Sequence, residues 1–306
     1  MRYAKVLHNP GAGEGELGKK DLITLIHSAG FGCSYSSTKK KGWEKIESSE
    51  TDFIILAGGD GTVRKVASEL LDKKLLDKKL PIGLLPFGTA NNIARTLGIT
   101  GEPIEIIHSW TKKHLKKFDV GRLFGVPKSH FFLESFGYGI FPILMEQMKN
   151  QPEDDIDTPE KSLRTALTLL LKLIKNADPT YCKLILDGVH HDGSYLLVEV
   201  MNTSSIGPNL KLAPLADPGD GVFEIILITE GERDAFAEYV SNKLEGREMP
   251  SVFTTLKAKQ VEIFWDGSEA HVDDERIEMK KPASVRIELL HGLLEFFVPD
   301  SILASA

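Results

Sequence analysis

The sequence predicts two domains: an α/β domain built on a parallel sheet, then a mostly antiparallel β domain. Three observations predict this. At 306 residues and 42% hydrophobic content, the chain exceeds what one core usually absorbs. Its first third alternates short apolar runs with helical patterns, the texture of strand–helix–strand units. After about Phe118, turn signals separate strand-like runs at short intervals.

In order, Tyr3 to His8 reads as a strand, Lys19 to Ala29 as a helix and Gly32 to Ser37 as a second strand. Asp52 to Ala57 is apolar without alternation, which predicts a strand covered on both faces. Thr62 to Leu71 reads as a helix, Ile82 to Leu85 as a strand and Ala90 to Leu97 as another helix. The boundary is expected near Asp119 to Arg122, giving domains 1–120 and 121–292 with the tail 293–306 packing back on the first. In the second half, Tyr181 to Leu186 and Tyr195 to Met201 are strand-like, with Asp187-Gly188 and Asp192-Gly193 between them. Phe223 to Thr229, Gln260 to Trp265, Val285 to Leu290 and Leu293 to Val298 follow as further runs. One helix interrupts them: Leu163, Ala166, Leu167, Leu170, Leu171 and Ile174 share a broad apolar face, which 3.6 periodicity turns toward a core.

The net charge of −7 argues against a dedicated nucleic-acid binder, which carries a basic excess. Cys33 and Cys182 stand far apart without CxxC spacing, as in a reduced cytoplasmic protein. No signal-peptide run opens the chain, and no segment reaches the roughly 18 apolar residues that span a bilayer. Basic clusters at Lys39 to Lys41, Lys73-Lys74, Lys78-Lys79 and Lys112-Lys113 are read mainly as solvated faces. Gathered on one side, they would attract an anionic membrane.

The chemistry lies in the loops. In the run from Phe53 to Val63, a buried strand gives way within five residues to a helix, through Gly58-Gly59-Asp60-Gly61-Thr62. Glycines let backbone approach a ligand. The amides that open the helix lack partners and carry partial positive charge, which makes an anion site. Asp60 is placed to reach a Mg²⁺ held by phosphates; the structural alternative is that Asp60 or Thr62 is a helix cap. A second turn, Gly88-Thr89-Ala90-Asn91-Asn92, and a third, Asn9-Pro10-Gly11-Ala12-Gly13, follow other strands. In an open α/β sheet all three face the crevice beyond the strand ends, which predicts a nucleoside triphosphate site. Gly13 to Lys20 imitates a P-loop, but Lys20 stands where the pattern needs Ser or Thr. His190-His191-Asp192 reads as a polar turn rather than a metal site.

The ordered set of these motifs resembles the diacylglycerol kinase catalytic-domain family. The likeness continues at Leu212-Ala213-Pro214, Ala216 to Gly221, Val272 to Glu275 and Glu295 to Pro299, so it spans nearly the whole chain. It implies a C-terminal β-sandwich, an interdomain site, and an ATP- and Mg²⁺-dependent kinase acting on a lipid hydroxyl at a membrane surface. By this likeness Asn9 to Gly13, Thr38, Gly58 to Thr62 with Val63, Arg64 and Lys65, and Gly88, Thr89 and Asn91 would line the ATP site. Glu275 would be the general base, with Asp60 the other catalytic acid. Asp220 would bind a structural Mg²⁺ with main-chain oxygens of Asp217 and Val222. Arg64-Lys65 stands where the family carries Asn-Glu, Asn92 where it carries Asp, and Asp274 where it carries Gly. A NAD kinase-like enzyme and a non-catalytic nucleotide or lipid binder are the alternative readings. The lipid's identity and the oligomeric state, a homodimer included, are left open, and a peripheral cytoplasmic location is expected.

Overall fold

Strands β1 (Tyr3–His8), β2 (Gly32–Ser37), β3 (Phe53–Gly58) and β4 (Ile82–Pro86) pair in parallel in the order β2-β1-β3-β4. They belong to a computed structural model that describes residues 1–12, 17–45, 50–72, 80–250 and 253–300. The chain divides into two units, Met1–Asp119 with the chain from His291 onward, and Val120–Leu290. In the first unit all six residues of β3 are buried, because this strand has sheet neighbours on both sides and side chains packed on both faces. Helices α1 (Lys19–Ser28), α2 (Asp60–Asp72), α3 (Asn92–Thr96) and α4 (Pro103–Ser109) complete this unit. Strand β1 lies between β2 and β3, so the chain leaves it in one direction and returns on its other side. Ligands collect outside the carboxyl ends of strands at such a switch point. Phe31, Phe53, Trp110 and Phe297 pack edge to face beneath this sheet, with Phe53 and Phe297 centroids 5.5 Å apart.

The division falls within two long strands, β5 (Leu115–Phe124) and β16 (Ala283–Phe297). The sequence reads β16 as two runs broken at Gly292. The structure makes it one strand: Gly292 takes φ +58°, and buried Asp119 accepts from the Gly292 amide at 2.6 Å. A local irregularity with its own acceptor replaces the expected turn. Phe296 near its end pairs in parallel with Ile82 of β4.

The second unit contains β6 (Phe131–Phe132), β7 (Ser135–Gly139), β8 (Thr180–Leu186), β9 (Val189–His190), β10 (Gly193–Met201), β11 (Phe223–Thr229), β12 (Thr255–Ala258), β13 (Gln260–Trp265), β14 (Glu269–Val272) and β15 (Glu275–Glu278). Every described pairing among them is antiparallel, and the unit is an antiparallel β-sandwich. Asp187 and Gly188 both have positive φ, the two-residue hairpin geometry that Asp-Gly favours. One core gathers inward residues such as Phe136, Val198, Ile263 and Val285, with Tyr138 stacked on Trp265 at 4.9 Å.

Among the described residues, three α-helices and not one interrupt the β unit: α5 (Ile140–Lys149), α6 (Pro159–Asn176) and α7 (Arg233–Leu244). Helix α6 starts at a Thr158 side-chain cap with Pro159 in its first turn, both standard start signals. It buries Ala166, Leu167, Leu170 and Ile174 in a second core shared with α5, α7 and residues of β10 and β11. Leu163 and Leu171, on the same stripe, are partly buried. Helix α7 escaped the sequence reading because its apolar positions are diluted by polar ones around the helix. No helix among the described residues is long and apolar enough to cross a membrane.

Candidate active site

Four loops that follow parallel strands line one cavity of about 570 Å³ in the first unit. Asn9 and Ala12 come from the loop after β1, and Thr38 and Lys39 from that after β2. Gly59 comes from the β3–α2 junction, Gly61, Thr62 and Lys65 from the first turns of α2, and Gly88 from the turn after β4. Parallel pairing puts all four strand ends on one side, so loops far apart in sequence meet there.

Contact between the glycine turns is close enough to exclude side chains. A Cβ on Gly59 would stand 2.8 Å from the Gly88 Cα, and one on Gly88 would stand 2.7 Å from Asn91 Oδ1. The two turns are also tied by Asp60, whose carboxylate accepts from the Asn92 amide at 2.9 Å and the Ile93 amide at 3.1 Å. It therefore caps α3 from across the crevice, a charge-assisted arrangement worth about 1.5–3 kcal/mol per bond. Asn91, at φ +50°, folds its side chain inward: it accepts from the Gly88 amide at 2.9 Å and donates to the Gly88 carbonyl at 2.6 Å. Asn91 thus shapes the turn. Asn9 links the first loop to the third, donating to Thr62 Oγ1 at 3.4 Å and accepting from the Gly11 amide at 3.2 Å. Gly88→Ala forces backbone away from backbone. It is expected to weaken nucleotide binding by about tenfold or more, some 1.4 kcal/mol, with unchanged far-UV circular dichroism; titration calorimetry measures the loss.

The remaining predicted nucleotide residues are distributed unevenly. Thr38 is buried, and its hydroxyl donates to the His8 carbonyl at 3.3 Å. Gly58 and Val63 are buried, so Val63 offers the site only its backbone, while Pro10 and Thr89 are exposed at the loop tips. Arg64 does not line the cavity, whereas Lys65 does. Gly13 lies outside the described residues, as do Lys73-Lys74 and Lys78-Lys79. Lys39, read in the sequence as part of a solvated cluster, lines the cavity instead. A strand-end position after β2 was the signal that could have found it.

In the second unit, Glu275 is exposed at the start of β15, directly after a turn made by Asp273 and Asp274. Asp273 takes φ +52° and is buried; its Oδ1 accepts from the amides of Leu133, Glu134 and Ser135 at 3.0, 2.7 and 3.2 Å. The turn that carries Glu275 is thereby bolted to the bend that enters β7 and to its first residue. Beneath it, His271 and Glu199 are wholly buried and joined at 2.8 Å. The Asp273 carbonyl, which can only accept, lies 3.0 Å from His271 Nδ1, so Nδ1 carries a proton. One further proton is shared between His271 Nε2 and Glu199. Burial would lower the His271 pKa, but the Glu199 carboxylate and the carbonyl reverse this and raise it.

The implied structural Mg²⁺ position can be tested against its surroundings. The Asp217 carbonyl accepts from the Asp220 amide at 3.2 Å, and Asp220 Oδ1 accepts from the Val222 amide at 3.1 Å. Beside this turn lies Glu224, 2% exposed, whose carboxylate is paired at its Oε1 with the Lys257 ammonium. Burial pushes its pKa up to about 7, against the opposing pull of Lys257. Oxygen donors of this kind fit a hard divalent cation. The Lys257 ammonium stands 3.3 Å from both Asp220 Oδ2 and Glu224 Oε1, where it competes for the same oxygens. Lys257→Met is expected to lower Tm in EDTA by about 4 °C or more, the size of a 1 kcal/mol loss. Millimolar Mg²⁺ should restore it. A Tm indifferent to both changes would remove the cation-site reading of this turn.

Two family models match: the diacylglycerol kinase catalytic domain over residues 3–123, and the YegS C-terminal NAD kinase beta sandwich-like domain over residues 145–297. The chain is 28% identical over 263 residues to a diacylglycerol kinase of Bacillus subtilis, covering 80% of each protein. It is 25% identical to one of Staphylococcus carnosus, covering 86% of this chain and 84% of that one. The crystal structure of a diacylglycerol kinase from Bacillus anthracis superposes with a TM-score of 0.74 at 25% identity, covering 98% of both chains. With its motifs, both units and nearly its full length matched, the chain belongs to the diacylglycerol kinase family, a family of phosphotransferases.

Proposed function

We propose that the protein transfers the terminal phosphate of ATP to the hydroxyl of a membrane lipid such as diacylglycerol, working peripherally at the cytoplasmic membrane surface. The observation that carries this reading is the contact between Gly59 and Gly88 beside a cavity lined by lysines, glycine turns and small polar groups. A triphosphate tail is anionic, and its oxygens match the positive end of the α2 dipole and the ammoniums of Lys39 and Lys65. Catalysis of phosphoryl transfer is mostly positioning plus charge stabilisation. Asp60 contributes by holding the two phosphate turns together. When bound with the nucleotide, Mg²⁺ spreads the charge that builds on the transferring group. Asp217, Asp220 and Val222 are the residues that would hold a second, structural ion.

Glu275 is assigned the acceptor side. A lipid hydroxyl is a poor nucleophile until its proton is taken as attack proceeds, and a solvent-facing carboxylate on a rigid turn can take it. Asp273 and the buried His271–Glu199 pair give that turn its rigidity.

The test is transfer of labelled phosphate from ATP to vesicles containing diacylglycerol, phosphatidylglycerol, a sphingoid base or ceramide, with NAD as a parallel acceptor. Label in the lipid extract is expected. Label on NAD and on no lipid would establish instead the NAD kinase-like reading. No transfer to any acceptor, with ATP still bound, would make the protein a binder and not an enzyme.

A further inference from the structure

The phosphate cavity is cationic by construction. None of its described lining residues is acidic, and two are lysines. Lys39 lies directly over the first loop: a Cβ on Gly11 would collide with its Nζ and stand 3.1 Å from its Cε. Lys39 forms no ion pair among the described residues. Lys65 reaches the same space from the first turns of α2. Its Nζ donates to the Thr38 carbonyl at 2.7 Å and stands 5.2 Å from the centre of the Trp43 ring. Both partners are neutral, so they fix the ammonium in place and leave its charge uncompensated. Thr38 and Lys39 are adjacent in sequence, so Lys65, by gripping the Thr38 carbonyl, also anchors the base of Lys39.

The acidic side is correspondingly thin. Asp60 is the acid of the two glycine turns, and both its oxygens already accept from the amides of Asn92 and Ile93. A metal ion arriving with a nucleotide would share this carboxylate with those amides, each of which already occupies one of its oxygens. Two ammoniums, by contrast, stand ready to meet phosphate oxygens, and lysine binds phosphate well as a point charge.

We propose that Lys39 and Lys65 hold the terminal phosphates of the donor directly, so that a nucleoside triphosphate binds without a divalent cation. The divalent cation then acts on transfer and not on affinity. This rests on the reading of the cavity as a triphosphate site. It adds Lys39 as a binding residue and divides the work between protein and metal.

Titration calorimetry of the full-length protein with ATP, once in excess Mg²⁺ and once in EDTA, separates the two ideas. Dissociation constants that agree within about fivefold between the buffers are expected, a difference of about 1 kcal/mol. In EDTA, Lys39→Met should weaken ATP by about tenfold, the loss of one charge-assisted contact. Lys39→Arg should retain most of the affinity, and ADP and AMP should bind progressively more weakly than ATP. Lys39 is exposed, so its variants test the clamp without disturbing a core. Binding in Mg²⁺ that disappears in EDTA would overturn the proposal and leave the triphosphate site standing. An unchanged constant for Lys39→Met in EDTA would overturn it as well. No ATP binding in either buffer would overturn the triphosphate reading itself, and this proposal with it.

Discussion

Replacing Glu275 with alanine is expected to lower kcat for lipid phosphorylation by about 10²–10⁴-fold, the usual contribution of a positioned general base. The Kd for ATP should barely move, because the groups that line the nucleotide cavity come from the loops after β1 to β4 and Glu275 is not among them. Glu275→Gln should be nearly as slow, since an amide cannot take the proton. Asp274→Ala is the control: Asp274 is also exposed, beside Glu275, and its loss should change kcat by less than about threefold if surface charge alone is at stake. Equal losses from Asp274 and Glu275 would mean that the turn's negative charge matters and no single base does. A full-speed Glu275→Ala enzyme would remove Glu275 from the mechanism. Rate measurement at saturating ATP with varied lipid separates these outcomes.

The strand–turn–helix elements of the first unit were legible in the sequence because their signals are local. A buried apolar run followed by Gly-Gly-Asp-Gly-Thr specifies a strand, a tight turn and a helix start within eleven residues, and the structure builds those elements there. The sequence reading placed Asp60 either at a metal or at a helix cap. The structure shows it capping α3, a helix 32 residues further on, which no local pattern announces. Lys39 was hidden for a similar reason: a lysine among lysines looks solvated until the parallel sheet brings the end of β2 beside Gly11. In the second half, strands were visible as apolar runs, but α5 and α7 were not, since short helices over a sheet need no clean stripe when neighbouring strands supply the rest of the core. Least legible were the buried polar pairs. His271, Glu199 and Glu224 sit within strands whose alternation is apolar enough to be read without them, and their partners are 72 residues away for the first two.

Removing His271 is expected to be the most damaging single change to stability in the second unit. His271→Ala would leave the Glu199 carboxylate with no counter-charge in a site where both side chains are 0% exposed. Stranding one member of a buried pair costs about 3–5 kcal/mol, a large share of the roughly 5–15 kcal/mol that holds a domain folded. The cause can be isolated from simple loss of volume. In Glu199→Gln the amide can donate to His271 Nε2 while Nδ1–H still donates to the Asp273 carbonyl, so the network stays satisfied and the cost should fall to about 1 kcal/mol. Combining Glu199→Gln with His271→Ala should be less destabilising than His271→Ala alone, because a stranded amide is cheaper than a stranded charge. The pair also imposes a direction on pH dependence. Both partners have raised pKa values: burial raises Glu199 against the pull of His271, and Glu199 with the Asp273 carbonyl overcomes burial to raise His271. Above the ordinary histidine value of 6.5 the unfolded chain has released the shared proton while the folded protein keeps it. Folding then takes up a proton, so the stability contributed by His271 is full below that value and is lost as pH rises through the raised one. Urea denaturation at a series of pH values should therefore show wild-type stability declining above neutrality more steeply than that of Glu199→Gln. Parallel curves would mean that the pair holds no such proton. Because Asp273 links His271 to the turn that bears Glu275, the same variants bear on catalysis. Glu199→Gln should keep most of its kcat below pH 7, where the native pair and the amide present the Asp273 carbonyl with the same Nδ1–H.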